Sequence, residues 1–162
     1  AQGQVAAAVN FNSPGQVVVA GHAEAVQRVA DLAKEAGARR ALLLDVSVPS
    51  HCELMRPAAE QLGEAMEALA FSAPQVAVLH NVNVAEATDA GDIKRLLVEQ
   101  LYNPVRWVET IEAIAGRDVG VVIEAGPGKV LTGLIKRIDK SLQGLPVFDP
   151  ASLDKAMEAI NA

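Results

Sequence analysis

The chain has 162 residues, 51% of them hydrophobic and 3% aromatic, with a formal net charge of −6. That length suits one ordinary domain with a real core, and the apolar share excludes a disordered chain. The acidic balance and scarcity of rings exclude the basic face or stacking platform of a nucleic-acid binder, and no apolar run approaches the roughly eighteen residues of a membrane span.

Ala1-Gln2-Gly3-Gln4 carries neither the cationic nor the apolar region of a signal peptide. Cys52 is the only cysteine, so no internal disulfide forms. A reducing compartment, the cytoplasm, is expected. The chain opens in strand-like sequence without an initiator methionine, as expected if residues upstream have been removed.

Val5–Phe11 and Gln16–Ala20 read as two strands of a hairpin. Between them Ser13-Pro14-Gly15-Gln16 suits a type II turn, whose second central residue needs positive φ. A helix follows with Val26, Val29, Ala30 and Ala33 at helical spacing, and Gly37 fits its C′ position. Ala41–Val46 is the next predicted strand. Ser50 and Glu53 have capping-box spacing, so a helix is expected from Ser50 with Leu54, Ala58, Leu62, Met66 and Leu69 along one face. Pro57 demands either a separate first turn or a kink.

Val76–Leu79 reads as a short strand and Ala85–Asp92 as a surface loop. Ile93, Leu96, Leu97 and Leu101 mark another helix, which stops near Asn103-Pro104. Asn103 as N-cap and Pro104 at N1 then predict a helix through Val108, Ile111 and Ile114. Val119–Ile123 is the most strand-like run. It is followed by a helix with Val130, Leu131, Leu134, Ile135 and Ile138 inward, a strand over Leu145–Phe148 and a helix over Ser152–Ile160. Alternating strands and helices after residue 47 imply an α/β fold with a largely parallel sheet.

His51 falls where a predicted strand gives way to a helix, the position at which α/β proteins usually keep their sites. Neutral imidazole can activate a hydroxyl nucleophile at neutral pH; the same residue type also serves in capping and packing. Cys52 is its neighbour, but adjacent helical residues point about 100° apart, so the thiol reads as packing. Gly126-Pro127-Gly128-Lys129 fails the phosphate-loop frame, with Ile123 and Val130 where glycine and a hydroxyl residue are required. His22, His51 and His80 lack metal-ligand spacing. Asn10 and Asn12 lie beside a turn, where asparagine is favoured anyway. Lys136, Arg137 and Lys140 form a basic group consistent with a solvated helix end.

Four collinear stretches carry a resemblance: Val9-Asn10-Phe11-Asn12-Ser13-Pro14-Gly15-Gln16, Ser47-Val48-Pro49-Ser50-His51-Cys52-Glu53-Leu54-Met55-Arg56-Pro57, Gln100-Leu101-Tyr102-Asn103-Pro104-Val105 and Glu124-Ala125-Gly126-Pro127-Gly128-Lys129-Val130-Leu131. Together, over about residues 5–140, the chain resembles the malonyl-CoA:acyl carrier protein transacylases.

The resemblance implies an incomplete ferredoxin-like small subdomain over 1–46 (β-β-α-β) and part of a hydrolase-like parallel-sheet core over 47–162. It implies ping-pong malonyl transfer from coenzyme A to acyl carrier protein in fatty-acid biosynthesis. His51 would be the general base and Gln100 the residue whose backbone carbonyl orients it. Asn10 and Asn12 would lie at the substrate mouth, and Lys136, Arg137 and Lys140 would dock the acidic carrier protein. No metal or redox cofactor is implied.

The family's Gly-His-Ser-Leu-Gly nucleophile segment is not in this sequence. Ser13, Ser47, Ser50, Ser72, Ser141 and Ser152 all lie outside a Gly-x-Ser-x-Gly frame. The chain therefore resembles a C-terminal half, expected to be inactive alone and to have the N-terminal half as a partner. An acyltransferase module of a multidomain fatty-acid or polyketide synthase, and a non-catalytic α/β binding domain, are the alternatives.

Overall fold

The computed structural model describes residues 3–161. The chain gathers into two compact units, one combining the residues up to Phe11 with Val17–Arg106, the other combining Asn12–Gln16 with the residues from Trp107 onward. The fold is mixed α/β, with three two-stranded sheets among the described residues.

Strand β1 (Ala6–Ser13) pairs with β2 (Gln16–Gly21) across the predicted turn, and Gly15 takes the required positive φ of 76°. Helix α1 (Ala23–Glu35) follows, ending with Gly37 at φ 92°. The helix after His51 starts later than the capping-box spacing suggested. A separate 3₁₀ turn covers Glu53–Met55 and α2 runs Arg56–Glu67, with Pro57 in its first turn, where no helical N–H bond is lost. Its buried residues are Ala59 and Met66, with Leu62 half-buried, while Ala58 and Leu69 face solvent. Helix α3 (Ala90–Glu99) packs on α2. Its N-cap, Asp89, accepts from the Asp92 N–H at 2.9 Å. Two residue pairs, β3 (Leu79–His80) and β4 (Ala85–Glu86), form a small antiparallel ladder between α2 and α3 in sequence.

Two predicted strands change in the first unit. Residues 41–46 form no strand, because among the described residues no neighbouring strand offers a ladder. Leu42, Leu43, Leu44 and Val46 are instead 65%, 62%, 62% and 68% exposed. Residues 76–78 behave alike, leaving only Leu79–His80 as strand.

In the second unit, α4 (Trp107–Ala115), β5 (Val121–Ala125), α5 (Val130–Ile138), β6 (Gln143–Val147) and α6 (Pro150–Asn161) follow in order. β5 and β6 pair in parallel from Val121 opposite Gln143 to Ala125 opposite Val147, with α5 as the crossover. This is the parallel arrangement that the alternation predicted. Ile111, Ile135 and Leu142 form the buried centre, and Trp107, Ile114, Val122 and Ile138 close around it. Helix α4 does not begin at Asn103-Pro104 as expected; residues 103–106 lie outside any helix and make contacts described below.

Candidate active site

His51 lies between the exposed 41–46 run and the 3₁₀ turn, in an unusual backbone conformation. Its φ is 65°, the left-handed region that few non-glycine residues adopt and that persists only where surroundings hold it. Two consecutive carbonyls supply that hold. The His51 N–H donates to the Leu101 carbonyl at 2.9 Å, and the ring Nδ1 lies 2.7 Å from the Gln100 carbonyl oxygen. A carbonyl only accepts, so Nδ1 carries the proton in this bond. The neutral ring then keeps its lone pair on Nε2.

The donors and acceptors at the end of α3 explain why these carbonyls are available. The last carbonyls of any helix lack intrahelical partners. Here the Val98 carbonyl accepts from the Leu101 N–H at 3.2 Å. The Glu99 carbonyl accepts from the Asn103 side-chain amide at 2.8 Å. Those of Gln100 and Leu101 go to His51. Asn103 thus closes the preceding helix instead of capping the next one, a back-bond to the residue four before it that asparagine makes as readily as an N-cap.

The stretch 100–106 continues as a connector to two further segments of the same unit. The Val105 N–H donates to the Val9 carbonyl at 2.8 Å, and the Phe11 N–H donates to the Val105 carbonyl at 3.0 Å, forming a parallel bridge at Asn10. The Arg106 N–H then donates to the Asn81 carbonyl at 3.2 Å. The turn it meets, residues 81–84, holds Val84 at φ 58° and is fastened by the Asn83 side chain accepting from the Ala85 N–H at 3.1 Å. A β-branched residue in that region is strained, so this turn too is held by its contacts.

His51 and Gln100 are therefore brought together across 49 positions of sequence. Asn10 is half-buried on β1, joined to the 100–106 stretch through Val105. Asn12 lies two residues further along β1, so it shares Asn10's face of the strand. Cys52 is buried, its Sγ donating to the Pro49 carbonyl at 3.1 Å, which agrees with packing. Lys136 and Arg137 occupy the last turn of α5, with Lys140 just beyond, and all three are exposed. Arg137 also donates to the Gln16 side chain at 3.1 Å.

Sequence reasoning missed a second well-defined polar centre. The Glu124 carboxylate, at the end of β5, accepts from the Leu131 N–H at 3.0 Å and from the Thr132 N–H and hydroxyl, each at 2.7 Å. Burial pushes this carboxyl up, but the Thr132 hydroxyl and the N–H groups of Thr132, Leu131 and Val130 outweigh it and hold it below its ordinary value. The N-terminus of α5, where a phosphate loop would receive its anion, is filled by the protein's own carboxylate. A glutamate seven positions before a helical N–H is the signal that could have located this cap.

Comparison with known proteins shows the family. The Acyl transferase domain family matches residues 1–153. The chain is 55% identical over 157 residues to the malonyl CoA-acyl carrier protein transacylase of Haemophilus influenzae, covering 97% of this chain and 50% of that protein. It is 51% identical to the corresponding Escherichia coli protein, covering 98% and 51%. Among solved structures, a malonyl-transacylase in complex with its type II PKS acyl-carrier protein superposes with a TM-score of 0.96 at 55% identity, covering 98% of this chain and 51% of that one. The acyl carrier protein S-malonyltransferase of Vibrio cholerae gives 0.93 at 57% identity, covering 96% and 51%. The chain thus spans about half the length of the relatives it matches.

Proposed function

The chain belongs to the acyl transferase domain family, and on that premise we propose that it forms the C-terminal half of a malonyl-CoA:acyl carrier protein transacylase, the half that supplies the general base. One observation carries this reading: the His51 ring is fixed by Nδ1 on a backbone carbonyl, which leaves Nε2 as a proton acceptor. A carbonyl here does what the carboxylate does in a Ser-His-Asp triad, fixing tautomer and orientation.

In the proposed reaction, a serine from the other half attacks the malonyl thioester while Nε2 takes its proton. The tetrahedral intermediate collapses, and the proton returns to the departing coenzyme A thiolate. The carrier protein's phosphopantetheine thiol then gives its proton to Nε2 and attacks the malonyl-serine ester; as the second tetrahedral intermediate collapses, the departing serine oxygen takes that proton back from Nε2, which restores both groups. No redox or metal step is needed. Asn10 and Asn12 are proposed at the substrate mouth, and Lys136, Arg137 and Lys140 as the docking group for the acidic carrier protein, since opposite charge favours encounter. The 1–46 and 47–162 division into subdomain and core is proposed for the intact fold.

The uncovered run at Leu42–Val46 supports a missing partner half. It exposes apolar side chains at successive positions, as a strand buried on both faces of a parallel sheet would. Among the described residues no helix is long and apolar enough to cross a membrane. The cytoplasm is the proposed compartment.

Intact-mass detection of malonylated enzyme tests the reading. The full-length protein incubated with malonyl-CoA gains one malonyl group, while full-length His51→Ala gains none on the same timescale. The isolated 162-residue chain shows no transfer. Normal acyl-enzyme formation in His51→Ala would sink the base assignment, and turnover by the isolated chain would mean that the nucleophile lies within it.

A further inference from the structure

His51 and its two acceptor carbonyls come from segments far apart in sequence, and something must keep those segments in register to a fraction of an ångström. Backbone bonds alone leave the ring free to swing, since the hydrogen bond weakens steeply with misalignment. One side-chain contact joins the two segments directly. Five residues after His51, the guanidinium of Arg56 lies over the ring of Tyr102, two residues after Gln100, at 4.3 Å from the centroid. Glu53 also holds the same guanidinium, accepting from Nη2 at 3.1 Å. A cation at that distance over an aromatic face is attracted by the ring quadrupole, and a planar guanidinium stacks where an ammonium would not.

We propose that the Arg56–Tyr102 stack is a positioning device for His51, clamping the base's loop to the carbonyls that orient it. Neither residue needs to touch substrate. Arg56 starts α2, so the clamp ties the rigid helix after the base to the C-terminal extension of α3. The Asn103 amide fixes the other side of that extension on the Glu99 carbonyl. The clamp lies at the surface, where its strength corresponds to a change of about two- to fivefold in how often the ring is correctly placed.

This inference rests on the reading of His51 as general base, and the experiment separates the two. In the full-length enzyme, Arg56→Met and Tyr102→Leu each lower kcat for malonyl transfer about two- to fivefold with KM for malonyl-CoA unchanged. The double variant loses no more than either single one. Tyr102→Phe, which keeps the ring face, retains wild-type kcat. The ring Nδ1–H proton resonance of His51, visible while its bond to the Gln100 carbonyl persists, broadens in Arg56→Met and Tyr102→Leu and stays sharp in Tyr102→Phe.

Arg56 is exposed, so its variant tests the clamp even where Tyr102→Leu unfolds. Unchanged kcat in Arg56→Met, a rise in KM in place of the fall in kcat, or equal losses in Tyr102→Phe and Tyr102→Leu overturns the clamp. Acyl-enzyme formation by His51→Asn at the wild-type rate overturns the base reading beneath it. Silence of His51→Asn with normal Arg56→Met overturns the clamp alone.

Discussion

Two helix starts, one in each unit, use their polar side chains in opposite ways. At α5 the Glu124 carboxylate is committed to the helix, taking two backbone N–H groups and the Thr132 hydroxyl. At the start of α2 neither Cys52 nor Met55 caps through its side chain, and the nearby imidazole is turned away to a carbonyl on another helix. The first arrangement lowers the free energy of the fold. Among the described residues, the second leaves helical N–H groups without a side-chain cap and one ring nitrogen without a hydrogen bond, in a strained backbone. Where a sequence forgoes local stabilisation that its residues could make, the spared group is the one to suspect of chemistry.

The comparison is broken most sharply at His51. On the proposed reading, His51→Asn in the full-length protein lowers the rate of serine acylation by about two to four orders of magnitude, the usual contribution of a general base. Asparagine tolerates the left-handed conformation, so the denaturation midpoint stays close to wild type. Rapid-quench acylation and urea unfolding check both halves, and a large stability loss would show that His51 is structural.

Glu124 gives the mirror image. Glu124→Ala removes a cap and lowers stability by about 1 kcal/mol, read as a shift in urea midpoint, while kcat at saturating substrate is unchanged. The pH dependence follows from the lowered carboxyl. Its contribution is present in full above the ordinary value of 4.5 and is lost as pH falls through the lower folded-state value. The stability gap between wild type and Glu124→Gln therefore narrows in acid, and a gap that widens there contradicts the assignment. The smallest effect is expected at Gln100. Because its carbonyl, not its side chain, meets the histidine, Gln100→Ala changes kcat by less than about twofold.

Much of this was readable in the sequence, for identifiable reasons. Pro14-Gly15 dictated the hairpin turn, and alternation after residue 47 foretold the parallel β5–β6 pair because each apolar run had its partner within the chain. Residues 41–46 failed because a strand is a property of two segments, and local composition reports only one. Residues 103–106 failed because asparagine before proline serves two geometries with equal ease, and contacts to Val9 and Asn81, far off in sequence, decided between them. His51 and the Gln100 carbonyl were legible through the motif resemblance. The Arg56–Tyr102 stack was not, since it joins residues that no local pattern links, and the Glu124 cap was missed although its spacing to Leu131 lay open in the sequence.

The connector at 100–106 works through main-chain atoms: two carbonyls toward His51, both groups of Val105 toward β1 and the Arg106 N–H toward Asn81. An alanine scan, which leaves every such atom in place, would register Tyr102 and Asn103 and pass over these backbone contacts. Replacing single amides by esters in semisynthetic protein, at Val105 and Arg106, would expose what side-chain substitution conceals. The same property lets a position such as Val105 change its side chain without loss of its two bonds to β1.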